Sequence, residues 1–158
     1  MKKLAVALLA LLVACTPASP AYLTPVEAYL TTNIQSAYFG GVVFCAYDLL
    51  DAQVQVDNAD VYVWALCVEF TLEGEMVAMQ SGASLPVALH MQKAGGHYTV
   101  ISNEVPGNGT DYWPSIQRIF PPQAIENMCE GNIPCYNERA ERLQQAVEEK
   151  AEEYYGVK

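Results

Sequence analysis

A β-strand is predicted for the stretch Val61-Tyr62-Val63-Trp64-Ala65-Leu66-Cys67-Val68-Glu69-Phe70-Thr71-Leu72, because β-branched and aromatic residues dominate it. Successive side chains of a strand point to opposite faces, and here both faces are mostly apolar. A strand of this kind is usually covered on both faces. We therefore expect this strand to lie in the interior of a sheet, with a neighbouring strand on either side.

Strand-like segments also lie before and after this central strand, with turn-forming residues between them. One precedes it over residues 42–55, and three follow it over residues 76–81, 85–92 and 97–105. The stretch Ser81-Gly82-Ala83-Ser84 is predicted to be a loop between two of these strands. The sheet should thus contain four or five antiparallel strands.

Helices are predicted both before and after the strand region. Thr24 and Glu27 form a capping box that begins a helix, and Gly40-Gly41 ends it. After the strands, a short helix is expected over residues 114–120. A long amphipathic helix is expected from residue 137 to about residue 155, because apolar residues recur on one of its faces.

This order of elements indicates a single domain of the α+β class, with the helices packed on one face of a curled antiparallel sheet. The arrangement resembles the cystatin-like and NTF2-like folds, in which an N-terminal helix lies across an antiparallel meander. The C-terminal amphipathic helix is an addition to the simple form of those folds.

The N-terminus carries the features of an export signal. Two lysines precede an apolar run over residues 4–14, which is shorter than the roughly 20 residues that a membrane-spanning helix needs. The run ends in Leu12-Val13-Ala14-Cys15, which resembles the lipobox of bacterial lipoproteins. The resemblance implies cleavage before Cys15 and attachment of lipid, such as palmitate, at that cysteine. An ordinary secretory peptide with an incidental cysteine is the alternative.

The lipobox resemblance implies three parts of the chain. Residues 1–14 would be the signal peptide, residues 15–23 the lipidated cysteine with its tether, and residues 24–158 the extracytoplasmic domain. Two or more acyl chains make a stable membrane anchor. We therefore expect the protein on the extracytoplasmic face of the cell membrane or the outer membrane.

The charge of the chain limits its partners. Without Lys2 and Lys3, six basic residues remain against 18 acidic residues, so the mature chain would carry a net charge of −12. Nucleic acids are bound by surfaces rich in Lys and Arg, so this charge argues against a nucleic-acid partner. The expected partners are the membrane, through the lipid anchor, and a protein of the cell envelope.

Four cysteines remain besides Cys15, and an even number outside the cytoplasm favours disulfides. We favour a bond between Cys129 and Cys135, which would close a short loop containing Gly and Pro. Cys45 and Cys67 could then join two predicted strands. They could equally be buried free thiols, because a free cysteine packs like a small apolar residue.

Two histidines offer the nearest approach to a chemical site. If Gln92 pairs with His97 in the predicted hairpin, His90 lies diagonally across from His97 with both rings on one side. A zinc site needs three or four ligands, and no further ligand has suitable spacing, so we expect neither a metal nor a cofactor. Ordinary polar strand residues are the favoured interpretation. Asp111 and Tyr112 lie in a loop that could add to a ligand-binding cleft.

These observations favour a lipid-anchored, non-enzymatic module that binds a protein or another component of the envelope. No arrangement of nucleophile, base and orienting group is apparent in the sequence, so no catalytic residue is assigned. The alternative is a cleft of the NTF2-like type that binds a small molecule or acts as an enzyme, with His90, His97, Asp111 and Tyr112 around it.

Overall fold

The computed structural model of the chain describes residues 19–157. The expected signal peptide and lipidation site, Cys15, lie outside the described residues. Within them the chain forms one antiparallel sheet and a set of helices, so the predicted α+β class is confirmed. None of the helices in this part of the chain is long and apolar enough to cross a membrane.

The sheet is a meander of four strands in chain order. The predicted central strand is confirmed: it pairs with a strand on either side and is buried on both faces along most of its length. The strands are β1 (Val42–Val54), β2 (Asn58–Glu73), β3 (Met76–Ala94) and β4 (His97–Glu104).

One long strand replaces the two strands predicted over residues 76–92. Ser81, Gly82, Ala83 and Ser84, which were expected to form a loop, pair with residues 66–69 of β2. A register shift at this point leaves one extra residue in β3, between Met79 and Ser81. Cross-strand hydrogen bonds to β2 therefore outweigh the local preference of these small residues for a turn.

The helices are α1 (Val26–Asn33), α2 (Tyr112–Ile119), α3 (Pro122–Glu126) and α4 (Ile133–Tyr155). The first helix ends earlier than expected, because the chain from residue 34 to Gly41 forms a loop whose amides bind a carboxylate of the sheet. Helix α2 ends before Pro121, and Pro122 begins the short helix α3, since proline suits the first turn.

The helices cover both faces of the sheet, and the prediction that all of them lie on one face is wrong. Val26 and Leu30 of α1 pack with the odd-numbered residues of β2 from Val61 to Cys67. Helices α2, α3 and α4 pack with the even-numbered residues from Tyr62 to Phe70. Because β2 is apolar on both faces, burying only one of them would leave the other in water.

The expected Cys129–Cys135 disulfide is formed, and so is a bond between Cys45 and Cys67. Cys45 and Cys67 are directly opposite each other on β1 and β2, in the core layer under α1. Cys129 and Cys135 join the loop before α4 to the first turn of that helix. Cys45 and Cys67 are therefore bonded and are not free thiols. Disulfides persist in oxidising compartments, which fits an extracytoplasmic protein.

Candidate functional site

A cleft lies between the sheet and the beginning of α4. Its main cavity has a volume of about 340 Å³ and is lined by Trp64, Tyr112, Tyr136 and the disulfide loop of residues 128–133. A smaller cavity of about 150 Å³ adjoins it and shares Trp64 and Tyr136. We call this feature the aromatic cleft, after its three aromatic residues.

Each aromatic residue reaches the cleft from a different element. Trp64 stands on the face of β2 that α4 covers, and its Nε1 donates a hydrogen bond to Ser84 Oγ at 3.0 Å. Tyr112 is the first residue of α2, and Tyr136 lies in the first turn of α4. Trp64 is almost buried, whereas Tyr136 is 49% exposed, so the cleft has an apolar floor and an accessible wall.

Arg139 fixes the wall of the cleft to its floor. Its guanidinium lies over the Trp64 ring, 5.1 Å from the ring centroid, in cation–π geometry. The guanidinium donates to the carbonyl oxygens of Asn127 and Met128, and its Nε donates to Asp48 Oδ2 at 3.3 Å. A single buried cation thus joins the disulfide loop, α4 and the sheet.

Arg139 was not found by sequence analysis. It belongs to the predicted amphipathic helix, where a charged residue is expected to face water. Arg142 follows three residues later on the same helix and is exposed, so only packing distinguishes the two arginines. No sequence signal marks the carbonyl groups that Arg139 binds.

The cleft has the size and the mixed lining of a small-ligand site. Its volume falls within the range of small-ligand sites, which combine apolar walls with a few polar groups. Burial raises the pKa of Tyr112, and the nearby Glu130 carboxylate raises it further, so its phenol stays protonated at neutral pH. Glu130 and Asn132 supply polar groups at the rim. No cluster within residues 19–157 has the side chains to hold a metal ion.

The two histidines are not diagonal neighbours, and the predicted register of their hairpin is wrong. His97 pairs with Ala94 across a two-residue Gly95-Gly96 turn, while His90 pairs with Ser102. The β3 members of these two pairs, His90 and Ala94, are four residues apart. At roughly 3.3 Å per residue, the two pairs are about 13 Å apart along the strand. Glycines with positive φ allow this tight turn, and a register shift after His90 moves the remaining pairs.

His90 instead belongs to a cluster of charged residues. Its Nδ1 lies 2.7 Å from Asp60 Oδ1, and its Nε2 lies 3.2 Å from Glu104 Oε1. Desolvation lowers the pKa of His90, but the hydrogen bonds and charges of Asp60 and Glu104 outweigh it and raise the pKa overall. The imidazole thus bridges a carboxylate of β2 and a carboxylate of β4, and this contact ties β2, β3 and β4 together.

Only one of the four predicted ligand-binding residues lines the aromatic cleft. Tyr112 does so, whereas His90, His97 and Asp111 are not among the residues that line its two cavities. Asp111 is exposed and packs beside Gly107, where a Cβ atom would come within 2.7 Å of its carboxylate. The four residues of the alternative cleft are therefore not brought together, and the cleft described above lies around Trp64 and Tyr136.

No protein-family model matches the chain, and comparison with curated proteins and with solved structures finds no significant match. The geometry of the described residues is thus the ground for assigning a function. Its main features are an apolar cleft with an accessible aromatic wall and a disulfide-bonded domain.

Proposed function

We propose that the protein is a lipid-anchored extracytoplasmic module that binds an envelope component in the aromatic cleft and catalyses no reaction. The observation that carries this proposal is the cleft itself, with its buried Trp64 floor and half-exposed Tyr136 wall. Rigid aromatic side chains bind ligands at a low cost in conformational entropy, which suits recognition. Arg139 and the Cys129–Cys135 bond hold this surface in place before any ligand arrives.

The direction of the expected anchor is compatible with access to the cleft. Tyr22 packs against Tyr98, with ring centroids 6.4 Å apart, and Leu23 packs in the core under α1. The chain that leads back toward Cys15 therefore starts from the α1 side of the sheet, near the β3–β4 hairpin. The aromatic cleft lies on the opposite face of the sheet, which supports a cleft that stays accessible in the anchored protein.

The chemistry of the cleft supports binding over catalysis. Its ionisable lining residues are Glu130, Arg139 and two tyrosines. Arg139 is already engaged by carbonyl groups and by Asp48, which leaves it unavailable as a proton donor. An active site needs a nucleophile or a base aligned with a group that orients it. The ligand best matched to the cleft has an apolar or planar face and a neutral or cationic polar group near Glu130.

Photo-cross-linking in the native cell tests the proposal. A photoreactive phenylalanine analogue replaces Tyr136 in one variant and Tyr154 in the control, since both residues are exposed tyrosines of α4. We expect a defined adduct from position 136 that position 154 does not give. The same adducts from both positions, or none from position 136, would contradict the proposal. A low-mass adduct would assign the cleft to a small-molecule carrier, the alternative function.

A further inference from the structure

The outer edge of β3 is unpaired along much of its length. β4 pairs with β3 only from Ala88 to Ala94, so residues 76–87 have β2 on one side and no strand on the other within the described chain. We call residues 76–87 the open edge. Within residues 19–157, no side chain and no loop makes a hydrogen bond to its backbone outside the β2 ladder. At roughly 3.3 Å per residue, the open edge is about 40 Å long.

The opposite edge of the sheet, formed by β1, is covered by other elements. Lys150 of α4 donates to the Cys45 carbonyl at 2.7 Å and pairs with Glu27 of α1, so it reaches around this edge. Asn127 donates to the Leu50 carbonyl at 2.7 Å. A register shift beside Leu50 interrupts the strand. These are the usual means by which proteins prevent unwanted pairing at an edge strand.

The open edge has fewer such features: the extra residue Gln80 interrupts its pairing with β2, and Gln35 donates to Ser81 Oγ at 3.1 Å. It contains no charged residue, and Gly82 and Ser84 are exposed, so another backbone can approach closely. Met76 and Met79 are 72% and 60% exposed, although methionine is apolar. Its flexible side chain adapts to many partners. Pro86, which has no N–H to donate, lies near the C-terminal end of the open edge. The ten residues before it contain no proline.

We propose that the open edge binds an extended segment of a partner protein, which adds to the sheet as a fifth strand. Main-chain hydrogen bonds would supply the affinity, and side chains on alternate positions would supply the specificity. The exposed Met76 and Met79 give the incoming segment apolar contacts. The proposal concerns a surface separate from the aromatic cleft and does not depend on it.

Charge identifies the kind of segment that fits. Glu75 flanks the open edge at the β2–β3 turn. Glu104, whose half-exposed carboxylate also contacts His90, flanks it where β4 begins to pair. A second copy of this chain is disfavoured, because two-fold antiparallel pairing would bring Glu75 of each copy to Glu104 of the other. The favoured occupant therefore has an uncharged, strand-forming centre and basic residues at its ends.

Peptide binding by the folded domain tests this proposal. The probe is a labelled peptide of alternating threonine and valine with lysines at both ends, and its control has glutamates in place of the lysines. We expect the lysine-flanked peptide to bind about tenfold more tightly, since each end gains a surface ion pair. Hydrogen exchange should slow in residues 76–87 when the peptide is present. A third peptide with a central proline should fail to bind.

A pair of matched variants separates the edge from the rest of the surface. Met79→Lys places a cation on the open edge and should weaken binding of the lysine-flanked peptide. Val56→Lys adds the same charge at the β1–β2 turn, where Val56 is 84% exposed, and should leave binding unchanged. Equal binding by both variants would overturn the proposal. So would a dimer with residues 76–87 already protected, which would assign the edge to a second copy.

Discussion

At the scale of single residues, Glu69 is the most informative side chain of the sheet. It is fully buried on β2, and its carboxylate accepts hydrogen bonds from the amides of Tyr38, Phe39 and Gly41 and from Ser81 Oγ. Desolvation would raise its pKa, but these hydrogen bonds outweigh it and lower the pKa to about 2. One carboxylate thus orders the loop that joins α1 to β1.

The low pKa of Glu69 makes stability depend on pH. In the unfolded chain this carboxyl has a pKa near 4.5, so acid protonates the unfolded state before the folded one. The contribution of Glu69 to the free energy of unfolding is complete above about pH 4.5 and is lost as the pH falls toward 2. Denaturant unfolding across this range should therefore show wild-type stability declining with acid.

Glu69→Gln should be less stable than the wild type at neutral pH and should lose less stability on acidification. The neutral amide has one oxygen in place of two charged ones, so it cannot accept hydrogen bonds from all four donors equally well. Glu75→Gln, at the exposed β2–β3 turn, serves as the control and should keep the wild-type pH dependence. If Glu69→Gln declines with acid as steeply as the wild type, the assignment of the titrating group is wrong.

Arg139 and Arg142 test how burial sets the strength of an ion pair, because both contact the Asp48 carboxylate. The side chain of Arg139 is 7% exposed and that of Arg142 is 59% exposed. Arg139→Ala should lower the free energy of unfolding by about 3 kcal/mol, since it leaves the buried Met128 carbonyl without its donor and removes one of the two cations at Asp48. Arg142→Ala should cost less than about 1 kcal/mol. Chemical denaturation of both variants measures the difference, and similar losses would contradict it.

Contacts between individual polar side chains were the feature that the sequence predicted least well. Periodicity identified the apolar positions but not the partners of Glu69, Arg139 or His90, which lie far away in the chain. Such partners depend on strand register and on loop conformation. A register shift of one residue, such as the one after His90, changes which side chains meet.

At the scale of elements, the pattern of β2 predicted both its position and its double coverage. The same pattern also implied helices on both faces of the sheet. That implication was missed, because an α+β fold is expected to have its helices on one face. The continuity of β3 through Ser81–Gly82 could not be predicted locally, because it depends on hydrogen bonds to β2. The end of α1 also depends on a contact that is distant in the chain. The helix ends earlier than predicted because Glu69 binds the loop that follows it.

The Cys45–Cys67 bond joins β1 to β2 and should contribute to stability at this scale. Replacing both cysteines by alanine should lower the free energy of unfolding by about 3 kcal/mol, from the greater entropy of the unfolded chain. The Cys129–Cys135 bond closes a shorter loop, with a sequence separation of 6 against 22, and its removal should cost about 2 kcal/mol. Equilibrium denaturation of the two double variants compares them. A larger loss from the Cys129–Cys135 pair would contradict this order.

At the scale of the whole molecule, the sheet separates two surfaces with different roles in our proposal. The α1 side carries the start of the described chain and would face the anchor. The α4 side carries the aromatic cleft, and the open edge of β3 lies between the two. The lipobox resemblance implied an extracytoplasmic domain, and the two disulfides agree with an oxidising environment.

The central claim is that lipid on Cys15 holds this binding domain at a membrane. Intact-mass and N-terminal peptide mass spectrometry of the protein purified from native membranes tests it most directly. We predict a mature chain that begins at Cys15 and carries a diacylglycerol group there, and a Cys15→Ser variant that carries no lipid. An unacylated wild-type chain, or one cleaved at another residue, would contradict the claim.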